Sequence, residues 1–378
     1  YGALYIQDNI ELSSLTIKVG LRYDWRYLGK QVSDPSWVKR YENVINDRDT
    51  LTAYEYADWV DYNSTHTSFS ARSFWKQFTS GSLSPRLAIG YPISTRTVFY
   101  FNYGHFLQFP DLDAYFHDPI MTTVSGNYVG NPSLKPQKTI QYEAGFDQLI
   151  FDDLSLGIRG FYKDVFDYVT SRTLPISGRT VNKNINLDYA SSRGFEIIIN
   201  KALRDHYFGG INYTYSLAKG RSSNPFAVLV TPALQGLPRE TRMDYDVQHR
   251  LSLYFGYSVG AKEEFDVLGL NINNWNASVS WSYDSGFPYT PYNPGRTLAD
   301  VYLRNTGTGP VSTQIDIALS KGFVFFENLN VVFTLDVKNL LNRKNVDMSA
   351  GGFNSLTGRV TTFGDYTPVD PKYMYSWS

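Results

Sequence analysis

The chain has 378 residues, a net charge of −1 and no cysteine. Without a basic surplus it has no signature of a nucleic-acid partner, and without thiols it cannot carry a disulfide scaffold, Cys-bound zinc or a cysteine nucleophile. Aromatic residues make up 16% of the chain. That abundance suits a protein that meets membrane–water interfaces, where Tyr and Trp rings lie half in water and half in lipid.

Alternation of apolar and polar residues with a period of two is the dominant pattern. In chain order, alternating segments begin near residues 15, 154, 211, 275, 315 and 329. The clearest runs from Trp275 to Asp284, where Trp, Ala, Val, Trp and Tyr at odd positions oppose Asn, Ser, Ser, Ser and Asp at even positions. Such segments predict β-strands with one apolar and one polar face.

The connections between these strands alternate in length. Short connections are predicted at 13–14, 93–96, 151–153, 204–206 and 326–328, and long ones at 29–81, 110–138, 170–186, 220–248 and 286–312. One connection, at 259–273, is of medium length although it belongs to the short series. Tight turns at one end of a sheet and large loops at the other are typical of outer-membrane barrels.

The predicted strands number about twelve and run for about nine to thirteen residues, against about five to six in globular sheets. We therefore predict an all-β fold, an antiparallel transmembrane β-barrel with short periplasmic turns and long extracellular loops. Its lumen face then includes Arg22, Arg159, Asp316 and Asp336. The alternative is a soluble sheet, which requires a second protein layer over the apolar face.

Several motifs resemble those of the TonB-dependent receptors of Gram-negative outer membranes. The most specific is GNPSLKP at 130–136, which leads to YEAGF at 142–146. Four others follow in the family's order: SPR at 84–86, GFE at 194–196, DVQHRL at 246–251 and VKNLLN at 337–342. Each is weak alone, but together they extend over nearly the whole chain.

The resemblance implies a plugged barrel of 22 strands. About twelve strands is roughly half of such a barrel, so residues 1–378 are expected to form its C-terminal portion, with the plug domain and the N-terminal strands absent from this chain. The implied partners are outer-membrane lipid, a ligand, and a TonB-type energy-coupling protein that acts through the missing plug. A surface lipoprotein or other subunits are further possible partners.

Aromatic residues crowd the predicted extracellular loops. A flat ring can stack on a siderophore or a sugar, so the loops are predicted to hold a ligand. Packing of the loops on themselves, together with the outer aromatic girdle, explains the same residues equally well. The predicted ligand contacts are Trp59, Trp75, Phe109, Tyr115, Tyr128, Phe287, Tyr289 and Tyr292.

The sequence has no HExxH motif, P-loop or nucleophile elbow, so no enzyme activity, metal or cofactor is expected. The leading hypothesis is an outer-membrane receptor and transporter that imports a siderophore, a peptide or a glycan with TonB-derived energy. A passive porin or adhesin-like barrel is one alternative. A secreted β-rich hydrolase is the other.

Overall fold

One antiparallel sheet dominates the computed structural model, which describes residues 1–26, 81–116, 128–129, 134–176, 179–221, 240–261, 263, 266–267, 270–271, 273–290, 304–325, 329–346, 353–354, 359–360 and 375–376. Its long strands are β1 (Gly2–Leu12), β2 (Leu15–Trp25), β3 (Ser82–Ser94), β4 (Thr97–Gln108), β5 (Gln137–Phe151), β6 (Leu154–Ile176), β7 (Arg179–Arg204), β8 (Tyr207–Gly220), β9 (His249–Val259), β10 (Trp275–Asp284), β11 (Ser312–Phe325) and β12 (Leu329–Val337).

Each long strand pairs with the next one along the chain, so the sheet is a simple meander from β1 to β12, and these two form its edges among the described residues. Tight turns join β1 to β2, β3 to β4, β5 to β6 and β7 to β8. The connection from β9 to β10 contains a small hairpin of Asp266–Val267 and Leu270–Asn271. The predicted turn at 326–328 lies outside the described residues.

Several short elements lie in or beside the connections between the long strands. Helix α1 (Leu112–Phe116) lies between β4 and β5. Tyr128–Val129 pairs with β7, and Thr241–Arg242 pairs with β8. The other two-residue pairs are Pro288–Tyr289 with Gly307–Thr308, Asn345–Val346 with Tyr375–Ser376, and Phe353–Asn354 with Arg359–Val360. No helix in the described ranges is long and apolar enough to cross a membrane.

The pairing register keeps apolar residues on one face of the sheet and polar residues on the other. Ile317 lies opposite Val279, which lies opposite Phe255. On the other face, Asp316 lies opposite Ser280, which lies opposite Tyr254. A shift of one residue would mix the two faces, so the register is strongly specified.

The apolar face is not covered by a second protein layer in the described part of the chain. Phe333 and Leu335 expose 63% and 56% of their surface, and Trp275 is also exposed. The soluble-sheet alternative requires these side chains to be buried, whereas among the described residues they are exposed. A sheet with its greasy side outward is stable only where lipid covers that side.

Arg22, Arg159, Asp316 and Asp336 all lie on the polar face, as predicted, because their cross-strand partners are Ser84, Glu196, Ser280 and Ala318. An Arg or Lys on the lipid side at mid-membrane costs about 2–4 kcal/mol. The placement of these charges therefore agrees with lipid on the opposite face.

One connection is not the long loop that the sequence pattern predicted. Residues 170–186 continue the ladder between β6 and β7, which pair from Leu154 opposite Lys201 up to Ile176 opposite Arg179. The register shifts between Val165 and Tyr168, and beyond this bulge the two strands leave the sheet as a ribbon. The sequence of the ribbon lacks the apolar alternation that marks the wall strands, so the pattern gave no sign of paired strands there,.

Candidate ligand-binding face

The long connections all leave the sheet at one end, called here the loop end. Nearly all buried apolar side chains of the described residues lie there: Tyr115, Leu134, Val169, Ala190, Ala218, Met243 and Val247. Tyr115, Leu134 and Val169 form one cluster, while Ala190, Ala218 and Met243 form another. The loops and the strand ends next to them therefore enclose a small interior of their own, which the rest of the described wall lacks.

Arg26, just after β2, packs against the aromatic rings of two predicted ligand-contact residues. Its guanidinium carbon lies 5.6 Å from the ring centroid of Phe109 and 5.6 Å from that of Tyr115. Its Nη1 donates a hydrogen bond to the Pro110 carbonyl at 2.5 Å. Tyr1 meets Phe109 edge-on, with ring centroids 5.6 Å apart.

Tyr115 is completely buried, whereas a stacking platform needs an open ring face. Burial raises the pKa of the Tyr115 phenol, and the neighbouring Arg26 opposes that rise. In this arrangement Tyr115 packs the base of the loops, and Phe109, which is half-buried, is the more accessible of the two rings.

A chain of polar contacts, called here the clasp, joins three connections at the loop end. Arg221, after β8, lies 3.6 Å from the carboxylate of Asp188 on the β7 ribbon. Arg304, before β11, donates to the Arg221 carbonyl at 3.3 Å and lies 3.6 Å from the Asp244 carboxylate. Asn305 Nδ2 donates to the same carboxylate at 2.7 Å. The clasp thus ties the ribbon, the β8–β9 connection and the β10–β11 connection together.

A second ion pair fixes the β8–β9 connection against the wall. Arg242 Nε donates to Asp246 Oδ2 at 2.8 Å, and the Ala218 amide donates to Asp246 Oδ1 at 2.7 Å. The Asp246 side chain is 0% exposed and that of Arg242 is 14% exposed. Arg242 also donates to the Thr308 hydroxyl at 3.0 Å, so it reaches the β10–β11 connection as well.

Burial dominates the electrostatics of the clasp. Desolvation raises the pKa of Asp188, and the positive charges of Arg221 and Arg304 oppose that rise. For Tyr189, burial and a hydrogen bond to the Glu240 carboxylate raise the pKa to about 12.

The structure brings together Phe109 and Tyr115 but not the whole predicted set of ligand-contact residues. Phe287 is exposed and Tyr289 is half-buried beside Gly307 in a short strand pair. For Tyr128 the backbone alone is described, paired with Asn182. Ligand contact stays a prediction for all of them, and Trp59, Trp75 and Tyr292 lie outside the described residues.

Sequence reasoning missed the residues that organise the loop end, namely Asp188, Arg221, Arg242, Asp246 and Arg304. The contacts of Asp188, Arg221 and Arg304 join residues distant in sequence, so no spacing rule could have paired them, whereas Arg242 and Asp246 lie only four residues apart. One local signal existed: Arg239, Arg242, Asp244 and Asp246 form a charge-rich run directly before β9. Within the described ranges, no group of three or more His, Asp or Glu residues could hold a metal ion.

A sheet with one lipid-compatible face, one polar face, tight turns at one end and large loops at the other has the architecture of an outer-membrane β-barrel wall. The chain belongs to the family described as TonB dependent receptor-like, beta-barrel, which it matches over residues 1–354. Members of this family are transporters of the Gram-negative outer membrane and not enzymes. The predicted fold class, location and family are thereby confirmed, and the hydrolase alternative is wrong.

Solved structures share the fold at low identity. The outer membrane transporter YddB of Escherichia coli matches with a TM-score of 0.59 and 15% identity, covering 91% of this chain and 41% of YddB. The siderophore receptor PiuA of Acinetobacter baumannii matches with a TM-score of 0.53 and 15% identity, covering 91% of this chain and 39% of PiuA.

A curated relative is the iron-regulated outer membrane virulence protein of Vibrio cholerae, which is 25% identical over 189 residues. The match covers 47% of this chain and 28% of that protein. The chain therefore spans less than half the length of the proteins that it matches.

Proposed function

We propose that this chain is the C-terminal wall of a receptor that takes up a ferric siderophore across the outer membrane with energy from a TonB-type protein. The observation that carries the proposal is the two-faced wall with a clasped loop end, in a chain that belongs to the TonB-dependent receptor family. A plug domain and further strands, absent from this chain, complete the barrel in this proposal.

Iron as the cargo draws support from the relatives. PiuA is a siderophore receptor, and the Vibrio cholerae relative is iron-regulated. A further solved structure with a TM-score of 0.53 is the ferric enterobactin receptor PfeA of Pseudomonas aeruginosa, 14% identical. Phe109 adds local support, because a half-buried ring beside the Arg26 cation can stack on an aromatic, anionic chelator,.

The test uses the complete receptor, expressed in an Escherichia coli strain that lacks its own siderophore receptors. Uptake of radioactive iron is measured with a panel of ferric siderophores. Uptake of a radiolabelled vitamin, peptide and oligosaccharide is measured in parallel. We expect saturable uptake of at least one ferric siderophore, and its loss when the host's TonB protein is deleted. Uptake of a peptide or glycan alone would contradict the cargo class.

The same assay separates this function from a passive porin. A porin passes small solutes without saturation and regardless of TonB, so uptake that survives deletion of TonB would overturn energy coupling. A matched variant probes the loop end: Phe109→Ala is expected to weaken surface binding of the ferric siderophore by about two- to tenfold, since aromatic stacking contributes about 0.5–1.5 kcal/mol beyond buried area. Leu112→Ala, which truncates an exposed side chain nearby, serves as its control.

A further inference from the structure

Fixed charge is unevenly distributed over the polar face of the wall. From β2 to β7 this face carries Lys18, Arg86, Glu143, Asp147, Arg159 and Glu196. Arg159 lies 3.6 Å from Asp147 and directly opposite Glu196 on the next strand. We name this part of the wall the charged sector.

The long side chains of the charged sector leave a groove of about 350 Å³ between them, so the surface there is uneven. Lys18, Arg86, Asn102 and Glu143 line it. Arg86 also folds over the Phe106 ring, with its guanidinium carbon 4.8 Å from the ring centroid. The charged sector therefore combines fixed charge with a grooved surface.

The same face of β8, β9 and β10 differs in charge. From Asn212 to Ser216, from Ser252 to Ser258 and from Asn276 to Ser282, the residues on this face are Asn, Thr, Ser, Tyr and Gly, with no side chain that is charged at neutral pH. The first charges above it are Arg250 and Asp284, which pair with each other at 3.8 Å. We name this part of the wall the uncharged sector.

The surface of the uncharged sector is also flatter, because its large side chains do not stand out from the sheet. Tyr254 lies opposite Gly210, where a Cβ atom would come within 2.5 Å of the ring. Phe208 lies opposite Gly256, where a Cβ atom would come within 2.2 Å of the ring. The two large rings can therefore lie flat against the neighbouring strand because each faces a glycine, and neither projects far into the lumen.

We propose that the transported solute crosses the lumen along the uncharged sector, between the wall of β8 to β10 and whatever fills the rest of the barrel. This proposal rests on the proposed function and names the route within it. A moving solute needs contacts that form and break easily. Neutral hydrogen bonds contribute about 0.5–1.5 kcal/mol net and charge-assisted ones about twice that, so fixed charges retain a charged chelate or repel it.

The charged sector has the opposite property. Charges at fixed positions suit a partner that is itself fixed and complementary, because that partner can compensate them permanently. The charged sector is thus a static contact for such a partner and the uncharged sector a path for solute, and beyond that path β11 and β12 again carry acidic residues, Asp316 and Asp336, on the same face.

A pair of asparagines allows a matched test in the complete receptor. Asn102 follows the first residue of β4 by five positions (97 to 102), and Asn212 follows the first residue of β8 by five (207 to 212). Both face the lumen at similar depth, one in each sector. Because the chain has no cysteine, Asn102→Cys and Asn212→Cys each introduce a single thiol into it.

The measurement is the rate at which a charged, membrane-impermeant methanethiosulfonate added outside the cells modifies each thiol. Rates are compared during ferric siderophore uptake and after an uncoupler has stopped it. We expect the rate at Asn212→Cys to rise about tenfold or more during uptake, because a state populated about 10% or less at rest becomes a major one. Modification there should also block uptake. At Asn102→Cys the rate and the uptake should stay unchanged.

Equal acceleration at both thiols, or acceleration at Asn102→Cys alone, would overturn the route. Surface binding of the ferric siderophore and the amount of receptor in the outer membrane verify assembly, and Ser280→Cys on β10 replaces Asn212→Cys if that variant does not assemble. If the parent shows no TonB-dependent uptake, the proposed function fails. If uptake is normal but the sectors behave alike, only the present inference fails.

Discussion

Between the wall and the loop end, the same residue types occupy opposite environments. On the wall, Phe333 and Leu335 are more than half exposed, and the ion pair of Arg159 and Asp147 is open to solvent. At the loop end, Met243 is 1% exposed and Asp246 is completely buried. Lipid covers the apolar side chains of the wall, whereas the loops are in water and must bury apolar and charged groups against one another. Disruption should therefore act differently in the two regions.

The largest effect is expected at the loop end, from Asp246→Ala. This change leaves Arg242 buried without its carboxylate and removes the acceptor of the Ala218 amide. Breaking one side of a buried pair costs about 3–5 kcal/mol. The measurement is hydrogen exchange at the loop end in the complete receptor, where the Ala218 amide should lose protection.

Asp284→Ala is the matched control, because its pair with Arg250 is long at 3.8 Å and about half exposed. Exposed pairs contribute about 0.2–1 kcal/mol. Equal losses of protection in the two variants would contradict the distinction between a buried loop end and a solvated wall.

A smaller effect is expected on the wall, where two adjacent residues of β11 face opposite ways. Ile317→Arg places a cation on the lipid side and should destabilise the refolded receptor in bilayers by about 2–4 kcal/mol. Ala318→Arg places the same cation beside Asp336 on the lumen side and should have little effect. The assay is urea unfolding in liposomes. The two-faced wall would be refuted if Ala318→Arg were the more damaging change.

The smallest effect concerns pH and returns to the clasp. Burial raises the pKa of Asp188, so the closed clasp binds a proton more tightly than the open one does. Resistance of the clasp to local opening should therefore be greatest at low pH and decrease as pH rises through the elevated pKa of the folded form. Proteolysis of the loop end at several pH values measures this trend. Asp188→Asn should remove it, and an unchanged slope in that variant would assign the trend to another group.

The wall could be predicted from sequence and the loop end could not, for a physical reason. Lipid on one side and water on the other sort alternate residues, so segments such as Trp275 to Asp284 reveal their strands directly. No such sorting acts on residues 170–186, and the paired ribbon there was mistaken for a loop. The clasp joins residues 188, 221 and 304, which no local pattern connects. The aromatic content of the loops drew attention to Phe109 and Tyr115. It gave no sign that the guanidinium of Arg26 packs against both rings.

The ribbon of β6 and β7 has a mechanical consequence. From Tyr168 to Ile176 it extends about 25 Å past the bulge, at about 3.3 Å per residue, and the ladder between its two strands continues to the tip,. A twisted pair of hydrogen-bonded strands bends as one lever rather than as two loose arms. Asp188 lies at the base of the ribbon, opposite Tyr168, and contacts Arg221. Anything that pushes sideways on the tip therefore pulls on the contact between Asp188 and Arg221, and through Arg304 reaches the connection before β11.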